Sequence, residues 1–272
     1  MNTNTTPTKI LLAHNWVQAL KKCHWLIPHH LFFDDAHKVI AYCHQHKIDI
    51  IFANSHRLQD LLEKKQELFK EHNIQFIVNS RYVIDTFADK KLFNHFMVDN
   101  GFAEYIPKDY FDNSEVQYPC IVKPVMGGAG RGVCIVYCAD DLTDIDRNKN
   151  IVSEYLVGAE YATSIFYQHN QVINHFTYCK TSNQAYYVLQ QTGQSIVVEK
   201  CPTPFLDIFT SILKKATPDG ESCQCSINYK IINNQPKIFE INCRIGYTLA
   251  CFPDDFKIFM DSYVAALSAE AT

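Results

Sequence analysis

The chain has 272 residues, 47% of them hydrophobic and 13% aromatic, which is enough to bury a proper core in one large domain or two smaller ones. Its formal net charge of −4, with 20% charged residues, excludes a general nucleic-acid or anionic-membrane binder, because either needs a basic face. The 11 cysteines are odd in number and scattered, which excludes a disulfide framework and leaves reduced thiols, mostly buried in strands.

No apolar run approaches the roughly 18 to 20 residues of a membrane span. The polar start lacks a basic segment followed by a long apolar one, so it does not read as a secretory signal. Residues 1–7 read as a loose tail, and a cytoplasmic protein is expected. The closest cysteine pairs are Cys223 with Cys225 and Cys134 with Cys138. Neither forms a CxxC, and no second pair with His completes a zinc set. Histidines crowd the first quarter, at His24, His29, His30, His37, His44, His46 and His56. His44 and His46 point to different faces of a helix. All seven read as surface or capping residues.

In chain order, residues 9–13 read as a buried strand. Residues 34–45 read as a helix with Ala36, Val39, Ile40 and Cys43 on one face. A strand at 48–53, a helix over 58–72 carrying Leu58, Leu61, Leu62 and Leu68, and a third strand at 76–78 follow. This alternation predicts a small parallel α/β layer. The layer has neither GxGxxG nor GxxxxGK[ST], so a nucleotide site would lie elsewhere. A helix is predicted over 81–88. Asp89 can cap a second one from Lys90 to about Asn100, closed by Gly101. Strands are then predicted at 120–123, 133–137, 151–155, 162–167, 172–178 and 186–189. After a helix over 205–216, strands return at 226–232 and 237–242, and the last helix covers about 254–266.

Four segments carry chemistry. The first is YPCIVKPVMGGAGRGVCIV at 118–136, which holds Gly127, Gly128, Gly130 and Gly132, four of the nine glycines. Such a loop lets backbone N–H groups close on phosphate oxygens. Lys123 stands ready before it with a point charge, and Arg131 adds a forked donor within it. An ordinary hairpin turn needs one or two glycines. The second is KIFEINCRIG at 237–246. On a strand, Glu240, Asn242 and Arg244 face one way and Phe239 and Ile241 the other, into the core. That polar face suits Mg²⁺ and phosphate, because Mg²⁺ prefers hard oxygen ligands. In the preceding strand Ser226, Asn228 and Lys230 share a face. A three-residue loop at 233–235 would set Asn228 opposite Glu240, whereas a two-residue loop would pair it with Phe239. The third is NIVSEYLVGAEY at 150–161, which reads as a strand ending near Glu154, a break at Gly158 and a new strand opened by Glu160. It is either a plain strand–turn–strand or a linker that bonds a purine edge and a ribose. In the fourth, Asp89 precedes Lys90 and Lys91. Two lysines in a first helical turn oppose the helix dipole by a few tenths to about 1 kcal/mol, which is easier to tolerate if one reaches an anion.

Together and in this order, these segments resemble the ATP-grasp superfamily. The likeness is to its carbamoyl phosphate synthetase, biotin carboxylase and carboxylate–amine ligase branch, and runs from about Arg81 to Pro253. The resemblance implies an α/β (α+β) architecture. A small N-terminal parallel α/β pre-ATP-grasp domain (1–80) would precede a two-lobed ATP-grasp fold (81–272), with a lid lobe at about 105–160 and a C-terminal lobe at about 161–272. It also implies roles. Lys90 and Lys123 would contact ATP phosphates under a lid of Gly127, Gly128, Gly130 and Gly132. Glu154, Tyr155 and Leu156 would line the adenine slot, and Glu160 would hold the ribose. Asn228, Glu240 and Asn242 would hold Mg²⁺, or Mn²⁺. Arg244, Lys123 and Arg131 would serve catalysis. Asn228 departs from the acidic or Gln residue usual at the first metal position, Cys243 from Pro and Tyr247 from Gly.

The implied activity is a ligase that activates a small-molecule or peptide carboxylate as an acyl phosphate for an amine or thiol, releasing ADP and phosphate. No nucleic acid or membrane partner is expected. The alternatives are a catalytically silent ATP-binding regulator, favoured by Asn228, and an ATP-grasp kinase of a hydroxyl. For the acceptor, residues 176–203 offer Lys180, Gln184, Gln190, Gln191, Glu199 and Lys200, with no arginine to clamp a carboxylate.

Overall fold

The computed structural model describes residues 9–12, 26–28, 35–128, 130–184, 187–188 and 196–270, with only the backbone course of 26–28 and 270. The predicted tail, Ala13, Asp34, His24, His29, His30, Gln190, Gln191 and the ends of the strand expected at 186–189 lie outside the described residues.

The chain begins with a parallel three-stranded sheet. β1 (Ile10–Leu12) lies between β2 (Leu26–Pro28) and β3 (Ile50–Phe52). α1 (Ala36–His46) starts where Asp35 accepts from the amides of His37 and Lys38, and it ends at Lys47 in left-handed geometry (φ 55°). The helix predicted over 58–72 is two helices, α2 (His56–Lys64) and α3 (Gln66–Glu71). Lys65, at φ −125° and ψ 26°, breaks the helical run between them.

The strand predicted at 76–78 does not form. Gln75 makes one parallel bridge to Ile50, after which distant side chains satisfy the backbone. The Ile77 amide donates to Tyr263 Oη (2.7 Å), and its carbonyl accepts from Gln224 Nε2 (3.0 Å).

α4 (Arg81–Ala88) and α5 (Lys90–Asp99) match the prediction, with Asp89 Oδ1 accepting from the amides of Lys91 (2.7 Å) and Leu92 (3.1 Å). A small antiparallel sheet follows, order β5-β4-β6, from β4 (Cys120–Pro124), β5 (Cys134–Val136) and β6 (Asn150–Glu154). Its own core holds Tyr110, Cys120, Val122, Val136, Leu142 and Val152.

The rest is built on a five-stranded antiparallel sheet, order β11-β10-β7-β8-β9. Its elements are β7 (Glu160–Gln168), β8 (Gln171–Ser182), β9 (Ile196–Cys201), α6 (Leu206–Ala216), β10 (Cys223–Ile232) and β11 (Gln235–Asn242), followed by α7 (Tyr247–Ala250) and α8 (Pro253–Glu270). One face buries Ile165, Tyr167, Ile227, Tyr229 and Ile241 against α4, α5 and α6. The other packs Phe166, Phe176 and Tyr178 against Phe256, Phe259 and Tyr263 of α8. The same three rings of α8 also meet Phe52 of the parallel sheet, whose Ile10, Leu12 and Ile50 join this core.

One buried amide ties these layers together. Asn79, with no exposed surface, donates from Nδ2 to the carbonyls of Gln224 (3.0 Å) and Cys243 (2.9 Å) and accepts the Gln224 amide at Oδ1 (2.8 Å). Its own amide donates to Gln59 Oε1 (3.1 Å). Asn79→Leu keeps the size but strands buried partners. Unmade buried bonds cost 1–3 kcal/mol each, so the variant is expected to lose about 3 kcal/mol or more, read as a lower urea midpoint at unchanged m-value.

Candidate active site

A cleft of about 980 Å³, open to solvent, runs between the small sheet and the large one. β4 supplies Lys123, β7 Glu160, β10 Asn228 and Lys230, β11 Phe239 and Glu240, and α5 contributes Lys90. Gly127, Gly128, Gly130 and Arg131 of the glycine loop and Glu154, Tyr155 and Leu156 of the linker complete the wall. Segments far apart in sequence, the glycine loop and the acidic strand, thus face one space.

The register that brings Asn228 to Glu240 arises differently from the predicted loop. The β10–β11 turn has two residues, Asn233 (φ 51°) and Asn234 (φ 60°), both left-handed as a tight hairpin requires. Ile232 pairs with Gln235 and Tyr229 with Ile238. A bulge between Asn228 and Tyr229 then makes Phe239 an extra residue, and Asn228 pairs with Glu240 after all. The bulge also corrects the expectation that Phe239 faces the core, since two successive side chains, Phe239 and Glu240, line the cleft. Lys123 Nζ sits 5.0 Å from the Phe239 ring centre.

In the glycine loop, an added Cβ at Gly127 or Gly128 would meet nothing within 4 Å, so their backbone borders open space. Gly132 differs. At φ 72° its Cβ would stand 2.8 Å from Pro124 Cγ, so this glycine closes the hairpin base and does not line the cleft. Lys90 Nζ donates to the Gly127 carbonyl (3.3 Å), whereas Lys91 turns away to the carbonyls of Arg147 and Asn148.

The site's charges are held under strain. Burial pulls Lys123 down to about 8; Glu240 opposes the shift and Lys90 adds to it. Burial also lowers Arg244 against the pull of Glu240. A cross-strand row, Lys230–Glu160–Lys180, crosses β10, β7 and β8. Burial raises the Glu160 carboxyl, and Lys180 at 3.2 Å opposes that rise. Lys230, also lowered by burial, donates to the Leu156 carbonyl (2.7 Å) between the rings of Tyr155 and Tyr187. Tyr187 accepts at its carbonyl from Tyr155 Oη (3.0 Å) and returns its amide to the same oxygen (2.8 Å). The Glu154 carboxylate accepts the Lys108 amide (2.9 Å).

Asn242 and Arg244 do not line the cleft. They lie just beyond Glu240, where His56 meets them. His56 is exposed and its ring stands beside the Asn242 side chain. Partial burial, then the Arg244 charge, disfavours its protonated form. The surface reading holds for His56, which is exposed in the first turn of α2. Its position is directly after a parallel strand at the start of a helix, where open α/β sheets place ligands. Of the acceptor candidates, Lys180 is committed to Glu160 and Lys200 to Asp255 (2.6 Å).

The donor set fits a hard divalent cation. Glu240 on the cleft wall offers a carboxylate, and Asn242, two residues further along the same strand and just outside that wall, offers an amide oxygen. Among the described residues no group of three or more His, Cys, Asp or Glu is arranged to hold a metal. An ion here would complete its shell with phosphate oxygens and water, the habit of Mg²⁺ rather than of metals that need an all-protein cage.

No family model matches the chain. It is 24% identical over 201 residues to a D-alanine–D-alanine ligase of Wolbachia pipientis wMel, an alignment covering 67% of this chain and 62% of that relative's length. The structure superposes on the D-alanine–D-alanine ligase of Bacillus anthracis with a TM-score of 0.64 at 14% identity, covering 97% of this chain and 98% of that one. It also superposes on the biotin carboxylase of Campylobacter jejuni in its β,γ-ATP complex, with a TM-score of 0.58 at 15% identity over 90% of this chain and 67% of that one.

Proposed function

From a chain that has the ATP-grasp fold, we propose an ATP-dependent carboxylate–amine ligase that works through an acyl phosphate and releases ADP and phosphate. The observation that carries this reading is the single cleft shared by Lys123, the glycine loop and Glu240.

In this reading the division near residue 80 separates a small α/β domain from the ATP-grasp lobes. Lys90 and Lys123 meet the phosphates, and the backbone of Gly127, Gly128 and Gly130 closes over them with Arg131. The linker at Glu154, Tyr155 and Leu156 takes the adenine edge, and Glu160 takes the ribose hydroxyls. Glu240 and Asn242 hold Mg²⁺, or Mn²⁺, which when bound neutralises phosphate oxygens as charge shifts between them. A carboxylate is a poor electrophile because its charge repels a nucleophile and oxide does not leave. Phosphorylation supplies a good leaving group. The protein's task is to hold the carboxylate in line with the γ-phosphorus and to offset charge that develops in transfer, Lys123 on one side and Arg244 on the other. A cytoplasmic location and small amino-acid substrates, with D-alanine as the first pair to test, belong to the same proposal.

The test pairs nucleotide-dependent melting with phosphate and ADP release across a panel of acids and amines. Mg·ATP is expected to raise Tm, and ADP and phosphate are expected only when an acid and an amine are both present. Stabilisation without ADP release across the panel would make the chain a silent regulator, which Asn228 favours. A stable phosphoester product would make it a kinase.

A further inference from the structure

Resting on that reading of the cleft, we infer that this chain works with a single divalent cation, held by Glu240 and Asn242, and that Asn228 serves as a hydrogen-bond donor to Glu240 instead of as a second metal ligand. Asn228 Nδ2 lies 3.2 Å from Glu240 Oε2. The bulge makes these two residues direct cross-strand partners, so their contact is set by the strand pairing itself. The orientation of the amide follows from chemistry. Turned over, its oxygen would face a carboxylate oxygen at the same short distance, with no proton between them. The nitrogen therefore points at Glu240, and the positive end of the amide dipole stands where a bridging cation would otherwise be needed.

Two carboxylates at this separation could not both ionise without a cation between them. A carboxylate beside an amide has no such requirement. The surrounding charge agrees. Lys90 and Lys123 line the same cleft as Glu240 and Asn228, and Arg244 lies on the same chain segment four residues past Glu240. Part of the phosphate charge that a second metal would neutralise is thus met by fixed cations of the protein. Asn242, by contrast, sits on the same strand as Glu240, two residues on, and is buried.

The test counts Mn²⁺ bound to the full chain saturated with a non-hydrolysable ATP analogue, by the electron paramagnetic resonance signal of the free ion and by titration calorimetry. Wild type is expected to hold a single Mn²⁺. Asn228→Ala is expected to keep that ion, with the nucleotide-dependent rise in Tm reporting that the variant folds. Asn228→Asp, which keeps the shape but replaces the amide donor by a second carboxylate, is expected to recruit a second ion and to melt lower than wild type when both metal and nucleotide are absent. A second Mn²⁺ on wild type, or loss of the only one from a folded Asn228→Ala chain, overturns the inference and leaves the ligase reading standing. Failure of wild type to bind the analogue with any metal overturns the ligase reading and this inference with it.

Discussion

Arg244→Ala is expected to lower kcat by roughly a hundred- to a thousandfold, about 3–4 kcal/mol of transition-state stabilisation, while Mg·ATP still raises Tm. The split follows from where the guanidinium sits. Arg244 does not share the cleft wall with Lys90, Lys123 and the glycine loop. It lies past Glu240, with Nη1 donating to the Ile245 carbonyl (3.4 Å) and with His56 nearby. A group there meets the far side of a terminal phosphate more readily than the nucleotide's base or ribose. Its burial disfavours the charge but does not remove it, because a guanidinium stays protonated in proteins. Arg244→Lys is expected to recover little, since an ammonium cannot reproduce the planar fork. Single-turnover phosphate release beside nucleotide-dependent melting separates the two effects. Unchanged turnover with a weakened nucleotide shift would move Arg244 into the nucleotide site and leave the chemical step without its second cation.

How much of this was legible depends on the reach of each interaction. Helices α4 and α5 and the Asp89 cap follow from local periodicity and a local hydrogen bond, and they stand where the sequence puts them. The glycine loop and the strand of Glu240 were visible because their residue types are unusual at that spacing. The sequence sets Asn228 opposite Glu240 only if the turn has three residues, and the turn has two. The adjacent asparagines at 233 and 234 encode a two-residue turn, and the bulge at Phe239 restores the register and leaves Phe239 lining the cleft. The missed contacts are long-range. Ile77 is held by Tyr263, 186 residues away, so an apolar triplet that looks like a strand spends its backbone on side chains instead. β9 escaped because it is a mostly exposed edge strand without an apolar alternation.

Lys123→Met is expected to make the free protein more stable and to take away its response to nucleotide. Lys123 is only 8% exposed, and its pKa falls from 10.5 to about 8. At 1.36 kcal/mol per unit, that difference places the cost of keeping this buried ammonium charged at about 3 kcal/mol. The sign is fixed by proton uptake. The unfolded chain holds the proton up to about pH 10.5 and the folded chain releases it near 8, so below 8 the fold bears the whole cost and between the two values stability recovers as pH rises. Methionine is likewise unbranched, one atom shorter, and has a sulfur that suits the neighbouring Phe239 ring. Near pH 7 the variant should gain about 1–3 kcal/mol, or several degrees in Tm, and the gain should shrink from pH 8 upward. With Mg·ATP present the order reverses. Losing a charged hydrogen bond to phosphate weakens binding by about 1.5–3 kcal/mol, tenfold to more than a hundredfold in Kd. Melting curves for both proteins at pH 7 and pH 9, with and without Mg·ATP, read all four quantities. If the variant melts lower without nucleotide and still responds to it, Lys123 is a packing residue. The expected pattern would mean that the triphosphate supplies the counter-charge for Lys123, so that the fold carries a destabilised lysine until nucleotide arrives.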